Sequence, residues 1–367
     1  MTDPRSIRHL VKGLGPGGAE RLLVTQITAD RSGARHEVAY LVPEKQHLVP
    51  ELAAGGVDAV CLDDTAGRLG WVRRLRRLLR DDPTDLVHVH SPAVAAVTRV
   101  LVRTLPKSNR PTVVGTEHNR WPRHHRLTRL ANRLTIRLEA ATIAVSDDVA
   151  STIVGARTGQ VRTIEHGIDL DAARAKADRG AARAELGAAD DDIVIVCVAN
   201  LRREKALDDL VEAARLALAD EPRLRFVSVG QGPLAAELDG WIAAAGVGHR
   251  FHALGYRTDV PTVVSGADVF TLSSHHEGLP VAVMEAFALG VPVVATAAGG
   301  VPGAVADAGV ITPVGDPRAL ADAYVAIAQD DERRRELAAR AVERAEHFSV
   351  VRAIAEIGEV YDVATTR

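Results

Sequence analysis

The 367-residue chain sets 45 Lys and Arg against 48 Asp and Glu, a formal net charge of −3, which is no nucleic-acid signature. Its 47% hydrophobic and 25% charged residues are those of an ordinary soluble globular protein, and its length suits two domains. No apolar run reaches a membrane span, and Met1-Thr2-Asp3-Pro4-Arg5 lacks a signal-peptide core. The widely separated Cys61 and Cys197 read as buried thiols of a reduced cytosolic protein.

Short β-rich runs alternate with longer helical patterns. In the first half the strand candidates are residues 7–14, 36–42, 57–62, 85–90, 112–117 and 142–145. In the second they are 193–199, 224–229, 251–254, 269–272, 292–295 and 310–312. Such alternation predicts parallel sheets covered on both faces. It occurs twice, with a linker and lead-in helix near 169–188, so the expected fold is α/β, two Rossmann-like domains facing across a cleft. Ligands of open α/β sheets bind at the strands' carboxyl ends.

The first strand runs into Gly13-Leu14-Gly15-Pro16-Gly17-Gly18-Ala19-Glu20. Gly13, Gly15 and Gly18 match G-x-G-x-x-G, the mark of a nicotinamide-dependent oxidoreductase. A dinucleotide site also needs an acid closing the second strand; Glu37 comes too early and Glu44 too late. Glu20 is expected to satisfy backbone donors near the helix start. His88 and His90 alternate onto one sheet face and read as cleft-lining or packing residues, with no third ligand at metal spacing. His118 follows the strand 112–117; a lone histidine there is more often structural than catalytic. Arg120 and Arg123 precede a helix with Arg126, Arg129, Arg133 and Arg137 on one stripe and Leu127, Leu130, Leu134 and Leu138 on another. Its plain reading is an amphipathic helix with a solvated basic face. The sharper one is a surface for an anionic acceptor or membrane. Trp71–Arg77 offers a second basic helix. Asp169-Leu170-Asp171 and Asp190-Asp191-Asp192 match Asp-x-Asp literally but lie at the linker.

The most informative segment is Ser273-Ser274-His275-His276-Glu277-Gly278-Leu279-Pro280-Val281-Ala282-Val283-Met284-Glu285-Ala286. An apolar strand enters it, and a Gly-Leu-Pro turn follows Glu277. Pro280 suits the first position of a helix, which places Glu285 in the second turn. The free N–H groups from Gly278 onward form an anion site. Two hydroxyl acceptors beside a phosphate cradle point to a sugar nucleotide.

This block resembles the E-x7-E signature of family 4 retaining glycosyltransferases, which have the GT-B fold, and the likeness continues through Gly290–Thr296 and Gly299-Gly300-Val301-Pro302. The resemblance implies transfer of a sugar from a nucleoside-diphosphate sugar, UDP- or GDP-linked, to a hydroxyl acceptor that is a glycan, lipid-linked or a small molecule. It implies no cofactor and no metal. The domains would be 1–170, rejoined by a returning helix at about 348–367, and 171–347. Gly17 and Gly18 resemble the family's loop near the donor diphosphate or acceptor, and His118 its functional histidine near the donor sugar. Lys205 matches a cation that clamps the diphosphate; Asn200 stands where an arginine is commonest, which passes that role to Arg202, with Arg203 as alternative. Gly230 and Gly232 resemble a turn near the nucleotide. Glu277, Gly278, Leu279, Pro280 and Glu285 would complete the donor site, with His118, Arg202, Lys205 and Glu277 catalytic. Arg120, Arg123, Arg126 and Arg129 would meet acceptor or membrane. The expected location is cytoplasmic, with peripheral contact at the inner membrane face, and no nucleic-acid partner. A non-catalytic partner subunit that keeps the fold is the remaining alternative.

Overall fold

The computed structural model describes residues 4–63, 70–278 and 280–366. Leu279, expected in the donor site, lies outside the described residues. The chain divides into two compact units, one of residues up to Gly167 with those from Val350 onward, the other Ile168–Ser349.

The first unit is built on seven parallel strands: β1 (Ser6–Val11), β2 (Arg35–Tyr40), β3 (Asp58–Cys61), β4 (Leu86–Val89), β5 (Thr112–Glu117), β6 (Ala141–Ala144) and β7 (Val161–Thr163). Their order is β3-β2-β1-β4-β5-β6-β7. Strand β7 has no counterpart among the sequence expectations: its three residues, two of them exposed, carry no apolar pattern. Side chains alternate across the sheet. One face sends Leu10, Val87, Val89 and Val113 against Leu75, Leu79 and Val102 of the helices Gly70–Asp81 and Pro92–Arg103. The other sends Ile7, Leu86 and Val114 against Ile357, Val360 and Tyr361 of the C-terminal helix Val350–Thr365. On that face Val11, Val38 and Tyr40 meet Leu23, Val24 and Ile27 of the helix Gly18–Ala29.

The second unit has six parallel strands: β8 (Ile193–Val198), β9 (Leu224–Val229), β10 (Phe251–Ala253), β11 (Val269–Leu272), β12 (Val293–Thr296) and β13 (Gly309–Thr312), in the order β10-β9-β8-β11-β12-β13. Strands β8 and β11 are apolar runs buried nearly throughout, as central parallel strands are. In both sheets the strand order reverses beside the first strand, between β1 and β4 and between β8 and β11. Helices on either side of such a switch point diverge and leave a crevice at the carboxyl ends.

Candidate functional site

In the second unit the switch point brings together the loops after β8 and β11. The first carries Asn200, Arg202, Arg203 and Lys205; the second carries Ser273 to Gly278. Lys205 Nζ donates to Glu277 Oε1 at 2.6 Å. The Ser274 hydroxyl donates to the same oxygen at 2.6 Å, and the Ser273 hydroxyl to the Lys205 carbonyl at 2.9 Å. The His275 N–H reaches the Glu204 carbonyl at 2.9 Å, and the Thr296 hydroxyl, at the end of β12, the Ser274 carbonyl at 2.5 Å. The ammonium is thus anchored on one side by a largely buried carboxylate, with two N–H donors left for an anion. Ala206, in the left-handed region at φ 46°, joins the 3-10 turn Arg203–Lys205 to the helix Leu207–Asp220. A non-glycine residue there stores strain of order 1 kcal/mol, a pattern common at functional loops.

Backbone contacts fix the rest of this site. Gly230, at φ 153°, lies against the Ala199 carbonyl so closely that a Cβ would overlap it; the neighbouring Leu201 N–H bonds the Gln231 carbonyl at 2.9 Å. Gly232 meets the Leu201 carbonyl in the same way, so the two loops approach backbone to backbone. Gly299, at φ 54°, leaves room for the Glu277 carbonyl. Pro280 stands one position earlier than expected, as the N-cap of the helix Val281–Ala288; the helix begins where the first i→i−4 acceptors become available. Glu285 sits half-buried in its second turn. Arg202 and Arg203 are both exposed and form no ion pair among the described residues, so their geometry does not choose between them. Below the loops, burial pushes the Cys197 thiol up to about 12, against the opposing pull of Lys205; it is an inert core residue.

In the first unit Gly17 is the N-cap and Gly18 the first residue of the helix Gly18–Ala29. The Glu20 carboxylate folds back over Gly17, into the space a Cβ would need. His118 follows β5, half-buried, its ring 6.0 Å from that of His90 and 5.4 Å from that of His166. Burial lowers its pKa to about 4, so the imidazole is neutral near pH 7.

Of the two sequence readings of His88 and His90, the structure favours packing. They share a face, and His88 Nδ1 pairs with the Tyr361 hydroxyl of the C-terminal helix at 2.6 Å and Nε2 with Thr116 Oγ1 at 2.7 Å. A third imidazole does exist. His9, from β1, brings a ring nitrogen within 4.8 Å of theirs, a proximity produced by the β1–β4 register, which sets His9 opposite His88. Both ring nitrogens of His9 and of His88 already hold partners, so the trio is read as hydrogen-bonded imidazoles.

The basic helix also differs from expectation. In Arg126–Thr135 the leucines are not the buried stripe: Leu127, Leu130 and Leu134 are 71%, 53% and 71% exposed. The helix packs instead through Thr128, Ala131, Asn132 and Thr135. Asn132 is buried, accepts from the Arg99 guanidinium at 2.6 Å and donates to the Pro92 carbonyl at 3.0 Å. Arg99 is in turn paired with buried Glu139 at 2.6 Å. A buried charge pair demands satisfied partners, and that demand outweighs the leucines' preference for the interior. The outer face therefore reads Arg126, Leu127, Leu130, Arg133, Leu134, Arg137; Arg120 and Arg123 are exposed just before it, while Arg129 is half-buried. The helix Gly70–Asp81 behaves as its pattern predicts, with Leu75 and Leu79 buried and its arginines solvated.

Residues 178–344 match the family described as Glycosyl transferases group 1, and residues 16–172 that described as Glycosyltransferase Family 4. The D-inositol 3-phosphate glycosyltransferase of Geodermatophilus obscurus is 32% identical over 382 residues, covering 99% of this chain and 77% of its own. That of Saccharomonospora viridis is 29% identical over 309 residues, 81% of this chain and 67% of its own. Among solved structures, Anabaena HepE in complex with UDP and glucose has a TM-score of 0.83 to the chain at 22% identity, covering 96% of this chain and 98% of that one. Sucrose-phosphate synthase from Thermosynechococcus elongatus scores 0.81 at 20% identity, with 98% of both chains covered. The shared fold is GT-B.

Proposed function

The chain belongs to the family 4, group 1 glycosyltransferases, and from that premise we propose that it moves a hexosyl or N-acetylhexosaminyl group from a UDP-sugar to a hydroxyl of a phosphorylated polyol, with retention at the anomeric carbon and without a metal. The observation that carries this is the Lys205–Glu277–Ser274 knot at the switch point of the second sheet. As the glycosidic bond breaks, charge gathers on the leaving diphosphate. Lys205 and an arginine of its loop meet that charge, and the N–H groups at the start of Val281–Ala288 add to it. Glu285 accepts from the nucleotide ribose. The donor class follows HepE, solved with UDP, and the acceptor class follows the inositol-phosphate relatives. Metal independence is supported by one carboxylate in each of the two Asp-x-Asp matches, which has other work. Asp169 caps the helix Leu170–Arg174, and Asp192 pairs with Arg225 and Arg250. The oxidoreductase alternative has no ribose-binding acid and does not explain Glu277 and Glu285. A panel of UDP- and GDP-sugars with D-inositol 3-phosphate as acceptor tests the proposal; donor consumption in EDTA is expected. No consumption of any donor, with or without acceptor, returns the chain to the non-catalytic reading.

Glu285→Ala is expected to weaken UDP binding 10- to 100-fold, since losing a charged hydrogen-bond acceptor costs roughly 1.5–3 kcal/mol. Calorimetry showing unchanged UDP affinity removes the ribose role.

The outer face of Arg126–Thr135 supports a second element of the proposal, peripheral contact with anionic membrane. An arginine-rimmed leucine face is the pattern of interfacial helices, and no described helix is long and apolar enough to cross a bilayer. Reversing Arg126 and Arg133 to glutamate is expected to abolish binding to phosphatidylserine vesicles and leave donor hydrolysis intact. Wild-type protein that ignores such vesicles at low salt shows the face to be solvated only.

A further inference from the structure

The loop that carries Lys205 is strapped to the loop after β11 on both sides of its strained residue. Ahead of Ala206, the Lys205 carbonyl accepts from the Ser273 hydroxyl and the Glu204 carbonyl from the His275 N–H, both at 2.9 Å. Behind it, in the first turn of the helix Leu207–Asp220, Asp209 Oδ2 lies 3.0 Å from His275 Nε2. A carboxylate accepts, so the ring donates through Nε2, whether or not Nδ1 also carries a proton. His275 therefore holds the segment twice, once with its backbone and once with its ring. Ala206, at φ 46°, stands between the two holds.

The two loops are not equal partners. Residues 273–277 leave β11, a central strand between β8 and β12, and the Thr296 hydroxyl fastens the Ser274 carbonyl at 2.5 Å. Residues 203–205 form one short 3-10 turn, ended by the left-handed backbone of Ala206. A left-handed alanine persists only where its surroundings over-determine it. Released, Ala206 relaxes toward right-handed or extended backbone, and the chain at its neighbour Lys205 turns with it. Packing does not do the holding at the Asp209 end, since the His275 side chain is 43% exposed and that of Asp209 22%. So exposed a pair adds little to global stability; what it fixes is local.

We propose that His275 and Asp209 are positioning residues for the departing diphosphate: their bond fixes the turn at Ala206 and, through it, the place of the Lys205 ammonium. The inference rests on the glycosyl-transfer reading above, and neither residue touches the donor. Lysine is a point charge on a flexible four-carbon stem. Here Glu277, gripped by Ser274, fixes the far end of that stem, and the bracket made by His275 and Asp209 fixes the near end. An ammonium held at both ends of its stem is preorganised for charge that grows in the transition state.

A double-mutant cycle tests the bracket. His275→Ala is expected to lower kcat for UDP-sugar consumption about tenfold, the scale of a small displacement at a reacting centre, and to leave the unfolding midpoint in place. His275→Gln, whose side-chain amide can donate to Asp209 in place of Nε2, is expected to recover most of the loss. In a Lys205→Ala background, His275→Ala is expected to cost nothing further, because a residue that acts through another is not additive with it. The same loss in both backgrounds, or no loss in either, overturns the proposal. A second readout needs no turnover. In the free protein the ¹⁵Nζ–H signal of Lys205, sheltered by Glu277, is expected in wild type and in His275→Gln, and is expected to vanish by solvent exchange in His275→Ala. A signal unchanged in His275→Ala overturns the bracket whether or not sugar is transferred. Wild type that consumes no donor, while that signal behaves as expected, overturns the glycosyl-transfer reading instead.

Discussion

Lys205→Ala is expected to lower turnover about 10²- to 10³-fold while weakening UDP binding by less. The loss corresponds to about 2.7–4 kcal/mol, the effect of removing one preorganised donor from charge that grows in the transition state. The knot sets the size of the effect. Lys205 is held by Glu277, which Ser274 also grips, so in the proposed donor site the ammonium would meet the diphosphate without reorganising. Its removal also leaves the Glu277 carboxylate, 8% exposed at its side chain, without its cation, and that charge then opposes the anionic donor. Lys205→Met, which keeps the stem, is expected to match the alanine variant; recovery by methionine assigns Lys205 a packing role. Arg202→Ala and Arg203→Ala, run beside it, identify which arginine shares the work, since both are exposed and unpaired among the described residues.

Acid is expected to unfold the first unit before the second, with a midpoint near pH 5. His9, His90 and His166 are held well below the usual histidine range by burial, His88 at about 3 and His118 at about 4. A base whose folded pKa is depressed contributes stability that is fully present above its unfolded pKa of about 6.5 and is lost as pH falls below that value, because the unfolded chain then binds the proton that the folded one refuses. Each such group costs about 1.4 kcal/mol per pH unit in that window. Glu117, raised to about 8 by burial, and Glu139, also raised by burial, act in the opposite sense and stabilise the fold as pH falls. Five imidazoles outweigh two carboxyls by about 4 kcal/mol per pH unit. About 6 kcal/mol is therefore lost between pH 6.5 and 5, enough to exhaust a domain stability in the lower part of the range of about 5–15 kcal/mol. In the second unit only His252 shows a lowered value among the described histidines. Hydrogen exchange followed from pH 7 to 4 separates the units. Protection of β1 and β4 that survives at pH 4.5 while β8 has lost its own contradicts the imidazole account.

Much of this protein is legible in local pattern. Apolar runs alternating with helices determine two parallel sheets, because a strand buried on both faces must be apolar throughout; β8 and β11 are such runs, whereas β7 is too short and polar to be seen. The strand-end positions of Glu277, Lys205, Gly230 and Gly232, and that of Glu285 on the next helix, are legible for a related reason. Each stands in the segment that directly follows its strand in sequence, and the proposed phosphate grip would need residue types few other loops need. What only the tertiary structure decides depends on strand order and on competing partners. His9, His36 and His90 are far apart in the chain and meet because β1 lies between β2 and β4; no spacing announces that adjacency. Ser274 becomes the second grip on Glu277 only through the turn between them. The helix Arg126–Thr135 shows the same limit most sharply. Periodicity assigns its leucines to the core, yet a buried Arg99–Glu139 pair that must be fully hydrogen-bonded recruits Asn132 inward and turns the leucines to solvent, a choice made by a partner 33 residues away from Asn132.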